Sequence, residues 1–342
     1  MERPDLSQTT PDIRAYIEYL ETELARASKK PVSNKQATVS ATPPLEPSEP
    51  PTTINLITLS KAGFIKRTPR HLYPRQRRAG MGIFDLEIQE EDTPFQLALA
   101  DQNESVIVVT SLARAFRLAV DSFAEAPVRA KGIALETLLP LEPEETATIL
   151  LSCQDTGQLS IVSQRGQVRQ FRAHYFSEAM NPGLSLWEIR DFGSPLAACW
   201  SSGSDDLFVA TQKGKAIRFA ESKIPVRGCQ AIRLDSEDQI VGVTAVQSDS
   251  GVFLLNAEGK GTIRLMDGFS ANKAPGSGGK VAMKTDHLID IQTIRADMDL
   301  FVISSLSKII RFQAEEVPAT PGVVQGVHCM ALRADQVVAL AR

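Results

Sequence analysis

The chain has 342 residues, a formal net charge of −4 and a pI near 5.7. That balance excludes a wholly basic nucleic-acid binder and confines any such function to a patch. Hydrophobic content of 43% and charged content of 23% are ordinary for a soluble globular protein of one large or two average domains. No apolar run approaches the roughly 18 residues needed to span a membrane. The first residues, Met1-Glu2-Arg3-Pro4-Asp5, lack the apolar core of a signal peptide. Cys153, Cys199, Cys229 and Cys329 are scattered, with no C-x-x-C and no close histidine, so they read as free thiols in a reducing compartment rather than a zinc site. The expectation is a cytoplasmic protein without a metal or other cofactor.

In chain order, residues 1–27 contain a helix predicted from Pro11 to Ala27. Thr10 can cap it, and Ile13, Ile17, Leu20 and Leu24 form an a/d stripe about two heptads long. Such a helix either docks on its own domain or serves as a coiled coil or docking helix for a partner. Residues 28–53 hold six prolines and no aromatic residue, the composition of an extended, disordered linker.

From residue 54 to 342 the texture is all-β. Six similar apolar runs stand out: Ile54–Leu59, Ser105–Thr110, Gln158–Ser163, Asp206–Thr211, Gly251–Asn256 and Asp299–Ser304. Each is followed by a small turn and a second strand carrying a basic residue, at positions 66, 117, 169, 218, 264 and 311. The intervals are 51, 52, 49, 46 and 47 residues. A glycine landmark follows each hairpin, as in Arg77–Ile83, Val128–Ile133, Asn181–Leu184, Val226–Ile232, Gly276–Val281 and Pro321–Val327. A further strand, such as Phe95–Ala100, Ala197–Trp200 or Gln239–Thr244, closes the unit. Four strands in about fifty residues, six times over, predict a six-bladed β-propeller of four-stranded blades.

The most distinctive stretch lies in the first repeat. Gln76-Arg77-Arg78-Ala79-Gly80-Met81-Gly82 joins two arginines, which grip phosphate with paired hydrogen bonds, to glycines that let backbone come close. It ends a run, Lys61 to Phe84, that contains no acid and includes Lys66, Arg67, Arg70, His71 and Arg75. A solvated basic turn is the plain alternative.

The hairpins, typified by Thr211–Phe219 and Ser60–Pro69, resemble those of the C-terminal domain of bacterial DNA gyrase A and its topoisomerase IV relative. The resemblance covers about residues 54 to 340. It implies a β-pinwheel, a propeller whose neighbouring blades exchange strands, that binds duplex DNA on its rim and bends it. It also implies that Gln76 to Gly82 stands in the place of that family's gyrase A box, Q-R-R-G-G-K-G. Here Ala79 replaces a glycine and Met81 the lysine, which removes one phosphate-neutralising charge and bears on the turn. Beyond residue 53, 31 lysines and arginines face 33 acids, so the ring needs an asymmetric basic patch.

The resemblance therefore nominates Gln76, Arg77, Arg78, Gly80 and Gly82, then Lys66, Arg67, Arg70 and Arg75, as DNA-binding residues. Arg117, Arg129, Lys131, Arg169, Arg218, Arg227, Arg264, Lys280 and Arg311 follow. For the repeated arginines the alternative is structural: a guanidinium at a blade edge can tie neighbouring blades together. With 53 residues before the ring, too few for a cleavage core, the expectation is a nucleoid-associated accessory protein that does not cut DNA. Enzyme chemistry has little to work with: the four histidines fall in four different repeats, and Asp205-Asp206 and Asp297/Asp299 sit at turns before strands. The rival reading is a protein-interaction scaffold that has lost wrapping. Its partner would be a topoisomerase subunit or a second copy, met through the N-terminal helix.

Overall fold

The computed structural model describes residues 49–88, 91–272 and 274–342. The helix expected at 11–27 and most of the linker lie outside the described residues. Within them the only α-helix is the single turn Ile189–Phe192, and the rest is strands joined by turns and 3₁₀ segments.

Six antiparallel sheets form, and each takes three strands from its own repeat. Blade 1 is Ile54–Ser60, Phe64–Pro69 and Pro94–Asp101; blade 2 is Ser105–Thr110, Arg114–Ala119 and Ala147–Ser152. Blade 3 is Gln158–Ser163, Gln167–Arg172 and Pro195–Ser201; blade 4 is Asp206–Thr211, Lys215–Ala220 and Ile240–Val246. Blade 5 is Gly251–Asn256, Lys260–Leu265 and Leu288–Ile294; blade 6 is Asp299–Ser304, Lys308–Gln313 and Val337–Ala341.

The fourth, outermost strand of every blade is borrowed. The two-residue strands Ile133–Ala134, Leu184–Ser185, Cys229–Gln230 and Lys280–Val281 each come from the landmark of the next repeat and pair with blades 1 to 4. Blade 5 takes Val327–His328 and, in parallel, Ala319–Thr320 from repeat 6. Blade 6 takes Ile83–Phe84 from repeat 1, which closes the exchange. The innermost strands neighbour one another around the full circle, including Val337–Ala341 against Pro94–Asp101. They line a central channel floored by such residues as Gln96, Thr244 and Asp290.

The burial pattern follows from this arrangement. A blade's first strand lies between its own sheet mates and the faces of two adjoining blades, so Ser105–Thr110 is buried along its whole length. Such strands read as continuous apolar runs rather than alternating ones. Six apolar clusters result, each filling the wedge between two blades: Ile57, Phe116 and Leu135 lie between blades 1 and 2, and Leu56, Tyr73 and Phe301 between blades 6 and 1. No blade has a buried face without its neighbour, so the ring is the stable unit.

Candidate nucleic-acid interface

The box lies across the joint where blade 6 meets blade 1. Its backbone runs along blade 6 and the end of repeat 6. The Gln76 amide donates to the Arg311 carbonyl at 2.7 Å, the Ala79 amide to the Cys329 carbonyl at 2.7 Å, and the Ala331 amide to the Gly80 carbonyl at 2.9 Å. A turn closes between, with the Gly80 amide donating to the Arg77 carbonyl at 3.2 Å. Ala79 holds φ +64°, the left-handed conformation that a glycine adopts freely. The turn therefore forms with alanine at this position, at a cost of about 1–2 kcal/mol for a residue with a Cβ. Gly82 is required by contact: a Cβ there would stand 2.6 Å from the Ile309 carbonyl oxygen.

The two arginines of the box point to different tasks. The Arg78 amide donates to a Glu316 carboxylate oxygen at 2.9 Å. Arg78 Nε donates to the Glu316 carbonyl at 2.8 Å and Nη1 to the His328 carbonyl at 3.0 Å. Arg78 is thus a clasp between repeats 1 and 6. Arg77 is exposed and makes no side-chain hydrogen bond or ion pair among the described residues. Met81 is 55% exposed.

The second-strand arginines lock blades together, the structural alternative raised by the sequence. Arg67 Nε of blade 1 donates to the Phe123 carbonyl at 2.7 Å, and Arg117 Nη1 of blade 2 to the Phe176 carbonyl at 2.8 Å. Arg218 Nη1 of blade 4 donates to the Met266 carbonyl at 2.8 Å, while its Nε meets Asp206 at 2.8 Å. Arg311 Nη1 of blade 6 donates to the Tyr73 carbonyl at 3.2 Å, and its Nε meets Asp299 at 2.9 Å. In each case the acceptor follows the second strand of the next blade. The turn acids Asp206 and Asp299, which looked like local turn formers, are the counterions of these guanidinium groups. Gln170 takes the same place in blade 3 and reaches Glu221 of repeat 4 at 3.1 Å.

Several expected DNA contacts are therefore withdrawn from solvent. Arg218, Arg264 and Arg311 are buried, and Lys66 is the most deeply buried of all. Lys66 Nζ reaches the Asp85 carboxylate at 2.6 Å, where the Tyr73 hydroxyl (2.5 Å) and the Thr58 hydroxyl (2.7 Å) also donate. Burial pushes the Lys66 ammonium below its ordinary pKa despite Asp85, and burial beside the Asp85 charge raises the Tyr73 phenol well above its own. An ion inside a wedge between blades cannot meet a phosphate on the rim. Arg169 is half-buried and donates to the Leu186 carbonyl at 2.8 Å. Arg75 is held by Asp299 at 2.9 Å, and Arg70 by Glu49.

What stays available is a smaller set on the landmark loops. Arg129 and Arg227 are exposed and, like Arg77, without a side-chain hydrogen bond or ion pair among the described residues. Arg129 occupies the same turn position as Ala79, at φ +67°. Lys131 is exposed over the Phe64 ring at 5.1 Å, and Lys280 over the Phe269 ring at 5.5 Å. The landmarks carry the borrowed outer strands, so these cations sit at the perimeter of blades 6, 1, 3 and 4. The sequence reading missed the carboxylates that engage the others, Glu49, Asp85 and Glu316. Each is distant from its partner along the chain and carries no local signal. It also passed over Arg172, exposed at the end of a second strand with His174 and Tyr175 beside it.

Six blades that each take their outer strand from the following repeat define a β-pinwheel. Residues 55–93, 205–247 and 299–341 match the family model described as the DNA gyrase C-terminal domain, beta-propeller. These segments fall in repeats 1, 4 and 6. The DNA gyrase A protein of Staphylococcus aureus is 26% identical over 297 residues, covering 83% of this chain and 34% of that protein. Its counterpart in Ureaplasma parvum is 23% identical over 287 residues, covering 81% of this chain and 34% of that protein. The chain thus spans about a third of the length of these relatives. Among solved structures, the DNA gyrase A C-terminal domain aligns with a TM-score of 0.76 at 17% identity, over 84% of this chain and 99% of that one. The C-terminal domain of DNA topoisomerase IV aligns at 0.59 and 14%, over 84% and 93%. The ring is a six-bladed pinwheel similar to the C-terminal domain of DNA gyrase A, as its repeats suggested.

Proposed function

We propose that this chain is a non-catalytic accessory protein that binds duplex DNA along the outer rim of its ring and bends it. The observation that carries the reading is the set of exposed arginines without a side-chain partner among the described residues, Arg77, Arg129 and Arg227, on landmark loops whose backbones are pinned to the neighbouring blade. A guanidinium on a fixed loop meets phosphate with little ordering cost. Contact with phosphate alone is indifferent to sequence and releases counterions, so the affinity falls with salt. Bending a 20–30 base-pair site costs on the order of 1–6 kcal/mol. Three arginines with Lys131 and Lys280 supply a modest number of contacts against that cost, which favours bending over a full wrap. The similarity to the gyrase domain supports the same ligand, and a topoisomerase subunit is the natural protein partner. The site of action would be the cytoplasmic nucleoid. Among the described residues no three histidines, cysteines or acids gather to hold a metal, and no helix is long and apolar enough to cross a membrane.

The test is duplex-DNA binding across a salt series, with an Arg77→Ala/Arg129→Ala/Arg227→Ala variant alongside. The log–log slope should be about −3 to −5, and the variant should lose roughly three units of it. Absence of binding at low salt would refute the reading. The alternative, a protein-docking rim, is favoured by one feature: Met81, Phe84 and Leu306 are 55%, 50% and 47% exposed, all at the edge of blade 6. In that case a partner would bind in a salt-tolerant manner and Met81→Lys would weaken it.

A further inference from the structure

A carboxylate sits on the rim where five charged side chains meet. Glu49 places one oxygen on Arg70, with Arg70 Nε at 3.0 Å, and the other on Arg311 Nη2. Arg311 shares Asp299 with Arg75, so the chain of contacts runs Arg70, Glu49, Arg311, Asp299, Arg75 and directly into the box. Three guanidinium groups face two carboxylates. Counted over these five described side chains alone, the charge is +1 with Glu49 in place and +2 without it. The site opens to solvent: the side chains of Glu49 and Arg70 are 21% and 26% exposed, while Arg311 forms the floor at 4%. Burial raises the Glu49 carboxyl and the hydrogen bonds from Arg70 and Arg311 outweigh it, leaving the group below its ordinary pKa and charged.

Among the described residues Glu49 has few holds. Pro50 and Pro51 have no amide proton to donate. The next fixed points are the Thr52 amide, which donates to His71 Nδ1 at 3.2 Å, and Thr53, whose carbonyl accepts from Gln102. Among the described residues the Glu49 carboxylate is the sole hydrogen-bonded hold ahead of Thr52. Two guanidinium forks meeting a two-oxygen anion have the geometry that a phosphodiester also satisfies.

We propose that Arg70 and Arg311 form a phosphate-binding site on the rim, which Glu49 fills as an internal anion and so withholds from DNA phosphate. The inference rests on the DNA-binding reading and adds a site that is closed in the free protein. It predicts non-additive behaviour. While Glu49 fills the site, Arg70→Ala changes DNA affinity little. Once Glu49 is gone, Arg70 becomes a contact.

The experiment is a double-mutant cycle on duplex-DNA affinity across a salt series, using the full chain. The members are wild type, Glu49→Gln, Arg70→Ala and the double variant, with unfolding temperatures measured on each. Glu237→Gln, an exposed acid on a turn of repeat 4, controls for loss of a negative charge alone. Glu49→Gln should bind about three- to tenfold more tightly, with a salt slope steeper by about 0.9. The double variant should return to the wild-type value, and Glu237→Gln should lack the steeper slope. Wild-type binding that is unchanged in Glu49→Gln, or a gain that survives Arg70→Ala, overturns this inference and leaves the DNA reading standing. Absence of binding by every variant overturns both.

Discussion

Blade 1 and blade 2 solve the same packing problem in opposite ways. In blade 2, Val108 of the first strand faces Phe116 of the second, and both pack in one apolar cluster with Leu135, which follows the borrowed strand. In blade 1 the matching residues are Thr58, Lys66 and Asp85, an ion pair capped by hydroxyls and equally buried. The backbone frame is the same: the Leu135 amide donates to Gly63 of blade 1 and the Asp85 amide to Ser307 of blade 6. Blades 4 and 6 follow blade 2, with Val209, Ile217 and Ala231, and with Val302, Ile310 and Cys329. Blade 3 sets half-buried Arg169 opposite Ile161 and blade 5 sets Thr262 opposite Leu254, but the fully buried ion pair stands where the first and last repeats meet. Blades 1 and 2 are tied by the short turn after Pro94–Asp101, but blade 6 and the box are more than 200 residues apart along the chain, as the 224-residue span from Arg75 to Asp299 shows. An apolar wedge holds either joint. A hydrogen-bonded ion pair additionally fixes which segment enters and in what register, because a misplaced Asp85 would leave a charge buried and unpaired.

The largest effect that sharpens this contrast is at Asp85. Asp85→Ala strands the Lys66 ammonium in the wedge and should cost about 3–5 kcal/mol in denaturant unfolding. The triple change Thr58→Val/Lys66→Met/Asp85→Leu imports the blade 2 solution. It should restore stability to wild type or above, since well-packed apolar replacements of buried ion pairs are often neutral or stabilising by about 1–4 kcal/mol. If the triple variant is as unstable as Asp85→Ala, the wedge does not accept the apolar arrangement and the equivalence fails. Next comes Arg78→Ala, which removes the clasp to Glu316 and His328 and should lower stability by about 1–2 kcal/mol. Arg67→Ala at the blade 1–2 joint removes one carbonyl contact and should cost about 1 kcal/mol. The smallest effect is Ala79→Gly. Relief of the left-handed strain should raise stability by up to about 1 kcal/mol, read as a shift in the denaturant midpoint.

The same contrast explains what could be read from the sequence. The six hairpins announced themselves because a strand buried on both faces is a continuous apolar run, and its repetition at about fifty residues is visible without a structure. The box was visible as a charge and glycine pattern, and Gly82 and the left-handed turn at Ala79 account for that pattern by contact and conformation. The borrowed strands were invisible as such: two residues carry no periodicity, and Phe84 pairs with Lys308 only because the ring closes. Lys66 misled for a related reason. It lies in a basic run, yet its position faces the wedge, and its counterion Asp85 is nineteen residues away on a segment returning from blade 6. Basic residues in a sequence count charge, whereas the rim depends on which guanidinium groups remain without a carboxylate or carbonyl.

The central claim is that the box divides its labour, Arg77 facing DNA and Arg78 holding the ring closed. It is tested by making Arg77→Ala and Arg78→Ala separately and measuring both duplex-DNA affinity at low salt and unfolding temperature. The account predicts that Arg77→Ala weakens binding and flattens the salt slope by about 0.9 with no change in unfolding temperature. It predicts that Arg78→Ala lowers the unfolding temperature. Equal loss of DNA affinity in both variants with stability intact in both would contradict it.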